Sequence, residues 1–174
     1  MIWLKIVGTF IKVLKDAATP NQIAAGFTVG FAVGLTPGWP LQSLVLVFLL
    51  LLFNINLSMG IAGGLLASVI SWLLDAPLDA LGAWALTNQG FQGLYTTLYN
   101  NPFWMLTRFN NTLVMGSLLA WLIMALPLFI LTRVGVVQFR VRLLPTFEKL
   151  KIVQLVTGSK LYGWYKTASQ YRFW

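Results

Sequence analysis

The chain has 174 residues, 58% of them hydrophobic and only 9% charged, with a mean hydropathy of +0.78 and a net charge of +8. Soluble domains carry roughly 25% charged residues, so this composition leaves too little polar surface to clothe a soluble globule and points to an all-α, polytopic membrane protein. With no Cys and no His, disulfides, thiol nucleophiles, Cys/His metal sites and imidazole acid–base chemistry are excluded, and the basic residues flank apolar runs rather than forming the stripe of a nucleic-acid binder.

Residues 1–18 read as an amphipathic helix. Ile2, Trp3, Ile6, Phe10, Val13 and Leu14 recur at helical spacing, and Lys5, Lys12 and Lys15 take the other side. Such a helix either lies in the membrane interface, its lysines toward lipid phosphate, or packs on the protein's own cytoplasmic face. The lysines cut the apolar run too often for an ordinary signal peptide.

The membrane core is expected over 20–132. Thr19-Pro20 breaks the chain, and from Asn21 to Phe53 there is no charged residue. This stretch exceeds one span of roughly 20 residues, and Thr36-Pro37-Gly38-Trp39-Pro40 interrupts it with helix-stopping residues. Each half of about 15 residues reaches roughly 22 Å, short of the roughly 30 Å of hydrocarbon. The spacing therefore predicts a re-entrant hairpin over 21–53, its turn buried in protein or lining a cavity. Two full crossings with tilt or local thinning are the alternative.

Two further spans are predicted at 57–74 and 112–132, the first ended by Asp75, Pro77 and Asp79, the second kinked by Pro127. The mixed, aromatic-rich stretch 76–109 suits helices at the interface. From Arg133 the chain is a basic tail, 133–174. Lys/Arg concentrate at both ends, while 54–111 holds only Arg108. The positive-inside rule then places both termini in the cytoplasm, with Lys5, Lys12, Lys15, Arg133, Arg140 and Arg142 facing anionic headgroups of the cytoplasmic leaflet.

Several residues stand out as candidates. Gly26, Gly30 and Gly34 recur every four positions, and Gly60, Gly63 and Gly64 supply a second smooth surface, as close helix packing in lipid requires. That packing serves either the fold or a homo-oligomer. Asp75 and Asp79, four apart, share a helix face and could hold a cation or relay a proton, or else stand in solvent at a membrane exit. Asn54 and Asn56 adjoin the hairpin and could cap helices, bond the turn or meet a substrate. Asn21, Gly26, Gly30 and Pro37 recur ninety positions on as Asn111, Gly116, Ala120 and Pro127, a faint repeat of the kind transporters carry. No phosphate loop, metal cluster, cofactor motif or nucleophile–base pair is present, so no catalytic residue, metal or cofactor is assigned.

The ordered set Pro20-Asn21-Gln22-Ile23-Ala24-Ala25-Gly26-Phe27, Gly30, Gly34, Thr36-Pro37-Gly38 and Leu52-Phe53-Asn54-Ile55-Asn56 resembles the bacterial membrane family catalogued as domain of unknown function 2062. The motifs cover 20–56 and the resemblance extends toward 132, with Pro40 an addition to the commoner turn. The resemblance implies a small inner-membrane domain, sometimes fused to glycosyltransferases, and carries over no catalytic residue. The expectation is a non-enzymatic inner-membrane component of envelope biogenesis. It would be a partner or scaffold, paired with another membrane or periplasmic protein or with itself, assisting movement of lipid or lipid-linked glycan. A small oligomeric transporter or channel is the alternative, and an enzyme acting on a membrane lipid the third reading.

Overall fold

The computed structural model describes residues 18–53 and 55–143. Among them every regular element is helical: α1 (Pro20–Leu35), α2 (Leu41–Leu52), α3 (Leu57–Thr87), α4 (Gln92–Tyr99), α5 (Pro102–Met105) and α6 (Thr112–Gln138). Short 3₁₀ and π turns cover Gln89–Phe91 and Phe139–Leu143. The amphipathic segment 1–17, Asn54 and the tail beyond 143 lie outside the described residues. So do Lys5, Lys12 and Lys15.

Local chemistry sets the helix starts. At α1, Thr19 and Gln22 form a reciprocal capping box, the Gln22 amide N–H donating to Thr19 Oγ1 and the Thr19 amide N–H to Gln22 Oε1 at 2.7 Å. Pro20 sits at the first helical position, where its missing N–H costs nothing. Asn56 caps α3 by accepting from the Met59 amide at 2.9 Å, and Asn111 accepts from the Val114 amide at 3.0 Å at the start of α6.

Two elements run further than the sequence predicts. The span expected to end at Leu74 continues as one helix through Asp75, Pro77 and Asp79 to Thr87, so 76–87 extends the span rather than forming a separate helix. A proline inside a helix removes one ladder bond, and here packing against α6 outweighs that loss. The span expected to end at Thr132 continues through Arg133 to Gln138, with Pro127 inside it. The basic stretch therefore starts within α6.

The chain divides into compact units at Val136/Val137. In the first unit, α3 is the central strut. The glycines of α1 lie on it in order: Gly26 against the Asn56 carbonyl, Gly30 against Gly60, Gly34 against Gly64. Because both series ascend together, α1 and α3 run parallel, with α2 the antiparallel return between them. A Cβ added at Gly30 or Gly34 would overlap backbone of α3. Only glycine lets the two axes come this close. Gly63 repeats the arrangement in reverse, against the Phe27 carbonyl. Leu50 of α2 closes over Gly60, and Ser68 Oγ donates to the carbonyls of Gly34 and Gly64 at 3.3 and 2.9 Å.

A second close crossing joins α3 to α6. Gly82 meets the Thr112 carbonyl and Gly116 the Leu78 carbonyl. One series ascends while the other descends, so these helices are antiparallel. Trp121 of α6 then reaches α1, its Nε1 donating to the Thr28 carbonyl at 3.0 Å. Leu35, Ala67 and Leu78, packed by Phe31, Leu113, Ala120 and Trp121, form a core where the three helices meet. In the second unit, the described residues carry the π turn with Arg140 and Arg142.

Around this core the outer surface is apolar. Leu57, Ile61, Leu65, Val69, Trp72 and Leu73 line α3 at helical spacing and are exposed, Trp72 by 79%. Leu122, Ile123, Leu126, Ile130 and Leu131 do the same on α6, and Phe48, Leu51 and Leu52 on α2. Soluble proteins rarely expose contiguous apolar surface on this scale.

Candidate functional site

The Pro-Gly turn between α1 and α2 gathers several polar contacts from distant parts of the chain. Thr36 ends α1, its hydroxyl donating back to the Ala32 carbonyl at 3.0 Å. Ser117 of α6 donates to Thr36 Oγ1 at 3.3 Å while bonded at 3.0 Å to the Val114 carbonyl. Gly38 takes φ +74°, in the left-handed region that glycine alone adopts at little cost. Pro40 is fully buried and Trp39 is turned outward.

The segment before α6 closes over this turn. The Leu41 amide donates to the Leu106 carbonyl at 2.9 Å. Arg108 has φ +52°, an uncommon conformation for a side-chain-bearing residue. Its Nη1 would lie 3.2 Å from a Cβ placed on Gly38. The lone basic residue between 54 and 111 is thus held against the hairpin tip, beside a glycine whose missing side chain leaves the turn open to it. Just inside α2, the Ser43 hydroxyl is fully buried with no hydrogen-bond partner among the described residues. The Thr28 hydroxyl is in the same state.

The turn residues Thr36, Pro37, Gly38, Trp39 and Pro40 therefore share their site with Ser117, Arg108 and Leu106, which come from far along the chain. Asn56 is not part of it. Its side chain caps α3, and its amide N–H donates to the Gln22 carbonyl at 3.2 Å, tying the base of α3 to the start of α1. Gly26, Gly30, Gly34, Gly60, Gly63 and Gly64 lie in the α1–α3 seam. Asp75 and Asp79 sit on the same continuous helix, but their environments differ. Asp79 accepts a hydrogen bond from the Thr112 hydroxyl and so pins the start of α6. No group of three or more His, Cys, Asp or Glu is placed to hold a metal among the described residues.

The repeat noted in the sequence has a partial structural counterpart. Gly26 and Gly116 both bring their helices onto α3, but one helix is parallel to it and the other antiparallel. The likeness ends at proline, since Pro37 lies beyond the end of α1 and Pro127 lies inside α6.

Nothing in the sequence marks Arg108 as special except its isolation. Ser117, Ser43 and Gly82 carry no motif, and Gly116 only its place in the faint repeat, so pairing α3 with α6 required the fold. A separate groove of about 340 Å³ opens beside the end of α3, lined among others by Gln92, Tyr95, Tyr99, Asn100, Phe109 and Asn110.

Together these features define an all-helical protein with two helices, Leu57–Thr87 and Thr112–Arg142, long and apolar enough to cross a membrane; the 18-residue windows have mean hydropathies of 1.8 and 2.4. Residues 8–143 match the family described as "Uncharacterized protein conserved in bacteria (DUF2062)", and the chain belongs to that family. The match begins inside the N-terminal amphipathic segment, so part of that segment belongs to the family domain. The chain is also similar to an uncharacterized protein of Treponema pallidum (strain Nichols), 30% identical over 142 residues, covering 82% of this chain and 88% of the relative. No solved structure matches it.

Proposed function

We propose that this chain is a multi-pass protein of the bacterial inner membrane, with both termini cytoplasmic. It would be a non-enzymatic component of envelope biogenesis, a partner or scaffold that assists movement of lipid or lipid-linked glycan. The observation that carries the reading is the position of the exposed Arg108 against Gly38, next in the chain to the exposed apolar Trp39 and close to Leu106. A guanidinium in such surroundings is costly unless it serves an anion, and a lipid phosphate is the anion a membrane offers.

The hairpin lengths support a re-entrant arrangement. At 1.5 Å per residue α1 and α2 extend about 24 and 18 Å, short of roughly 30 Å of hydrocarbon. The glycine register sets Gly34 beside Gly64, about 10 Å along α3 from Leu57. In this reading the turn stops within the bilayer and the 106–108 segment descends to meet it. Irregular backbone at that depth must be covered by protein or line a cavity; Thr36 and Pro40 are buried on either side of the turn, whereas Pro37, Gly38 and Trp39 are exposed, which in this reading leaves them to a water-lined cavity or a partner. Arg133, Arg140 and Arg142 would contact cytoplasmic headgroups.

The test is complementation. A strain lacking the protein should change in envelope lipid or lipid-linked glycan composition. Wild type should restore it, Arg108→Lys restore part of it, and Arg108→Gln fail at equal abundance. An unchanged envelope in the deletion strain, with no membrane protein co-purifying in mild detergent, would sink the reading.

A second reading, a small oligomeric transporter, draws on the buried, unpartnered hydroxyls of Ser43 and Thr28, which a polar solute passing the hairpin could use. It requires solute flux into liposomes holding only the purified protein, and flux that is lost in Ser43→Ala.

A further inference from the structure

We propose that the groove lined by Gln92, Tyr95, Tyr99, Asn100, Phe109 and Asn110 is a binding site for an uncharged glycan. At about 340 Å³ it falls within the roughly 300–1,000 Å³ of small-molecule sites. Its chemistry is selective. Six of its side chains are aromatic or amide and none is charged, which disfavours a phosphate or an acidic peptide as occupant. A sugar ring presents two kinds of surface: an apolar C–H face, which stacks on aromatic rings, and a rim of hydroxyls that both donate and accept. Side-chain amides offer the matching pairs of donors and acceptors.

The groove is also organised in advance. Tyr95 and Phe109 stack with ring centres 6.2 Å apart and planes 23° from parallel. The Tyr95 hydroxyl is fixed by donation to the Ala85 carbonyl at 3.2 Å, and Gln92 Nε2 donates to the Leu86 carbonyl at 2.9 Å. These contacts anchor the aromatic wall to the end of α3. In contrast, the side chains of Tyr99, Asn100 and Asn110 make no hydrogen bond among the described residues and remain available to a ligand. An exposed tyrosine and two free amides beside a stacked aromatic pair have no evident packing role.

The site deepens the proposed envelope function and rests on it for its biological meaning. Phe109 and Asn110 directly follow Arg108, so one short segment contributes both to the groove and to the cation at the hairpin tip. A sugar joined to a lipid through phosphate carries both partners. Binding of free sugar can nevertheless be measured independently of any envelope phenotype.

The experiment uses the full chain in phosphatidylcholine nanodiscs, which avoids sugar-headed detergents, and saturation-transfer NMR with chitotriose and maltotriose. The expected result is transfer to ring C–H protons of at least one trisaccharide. Tyr99→Ala and Asn110→Ala should each weaken binding roughly tenfold or more, at unchanged thermal stability, while Ile123→Ala on the outer face of α6 leaves it intact. Absence of transfer to both sugars, or binding that ignores both groove variants, would overturn the proposal. So would a preference for glucuronate over the neutral sugars. In any of those cases the Arg108 complementation result stands or falls by itself.

Discussion

Gly30 and Gly60 meet backbone to backbone, so close that a Cβ on Gly30 would overlap the Gly60 carbonyl, its carbon and its Cα. Backbone cannot swing aside as a flexible side chain can. Gly30→Ala should therefore destabilise the protein despite alanine's better helix propensity. Overpacking costs about 1–3 kcal/mol, against a propensity gain of roughly 0.5–1 kcal/mol. Gly135, also within a helix, has nothing within 4 Å of an added Cβ, so Gly135→Ala should be neutral or slightly stabilising. Thermal unfolding in detergent, followed by size-exclusion recovery, checks the pair. Equal melting temperatures for both variants would mean that the α1–α3 seam is looser than described.

The second crossing gives a parallel expectation. Gly116 meets the Leu78 carbonyl and lies near the Gly82 amide, so Gly116→Ala should cost a similar amount. It shares no contact with Gly30, and distant sites add to within about 0.3–0.5 kcal/mol. The double variant Gly30→Ala/Gly116→Ala should therefore lose the sum of the two single effects. A loss well below that sum would show that the two seams unfold as alternatives rather than together.

How far the sequence reveals this fold depends on whether a signal is local or distant. The spaced glycines at 26, 30 and 34, the break at Thr19-Pro20 and the break at 36–40 are legible because each rests on backbone chemistry within a few residues. The end of α3 is not. Asp75, Pro77 and Asp79 read locally as a stop, yet the helix persists because Leu78 and Gly82 pack against Gly116 and Thr112 and Asp79 bonds the Thr112 hydroxyl. The candidate site divides in the same way. Its turn is visible in the sequence, whereas Arg108 and Ser117 join it only through tertiary contact, about seventy to eighty residues away along the chain.

Gly38 tests the turn itself. Its φ of +74° is costly for any residue with a side chain, by roughly 1–2 kcal/mol. The nearest atom to an added Cβ is the far end of Arg108, which can move. Strain should therefore dominate over collision. Gly38→Ala should lower stability by about that amount, and Gly38→Asn by less, since asparagine tolerates the left-handed region. If valine at this position were as well tolerated as asparagine, the turn would have to adopt another conformation.

Ser43 makes a contrary prediction. A buried hydroxyl without a partner costs about 1–3 kcal/mol, and the Ser43 side chain is fully buried with no hydrogen bond among the described residues. Removing the oxygen leaves only a small void, so Ser43→Ala should raise stability by about 1 kcal/mol or leave it unchanged. If the hydroxyl serves a solute, the same variant gains stability and loses liposome flux, which is the trade expected of a functional polar group in an apolar core. Destabilisation by Ser43→Ala would mean instead that the hydroxyl is satisfied in the membrane-embedded protein.

The absence of cysteine allows the membrane arrangement to be read without first stripping native thiols. Single cysteines at Thr97, Trp39 and Ser58 report on the groove segment, the hairpin tip and the start of α3. In the re-entrant arrangement with cytoplasmic termini, Thr97→Cys should react with a membrane-impermeant maleimide in intact spheroplasts. Ser58→Cys should react only after the membrane is opened. Trp39, exposed on the hairpin tip by 66%, separates the two hairpin arrangements. If the turn stops inside the hydrocarbon, Trp39→Cys faces lipid, where thiolate does not form, and stays unlabelled from either side while reacting with a lipid-soluble reagent. If α1 and α2 cross completely, it labels from outside as readily as Thr97→Cys. That second outcome would replace the re-entrant hairpin with four crossings and move Arg108 from the membrane interior to its outer surface, which would remove the desolvation argument for a lipid phosphate partner.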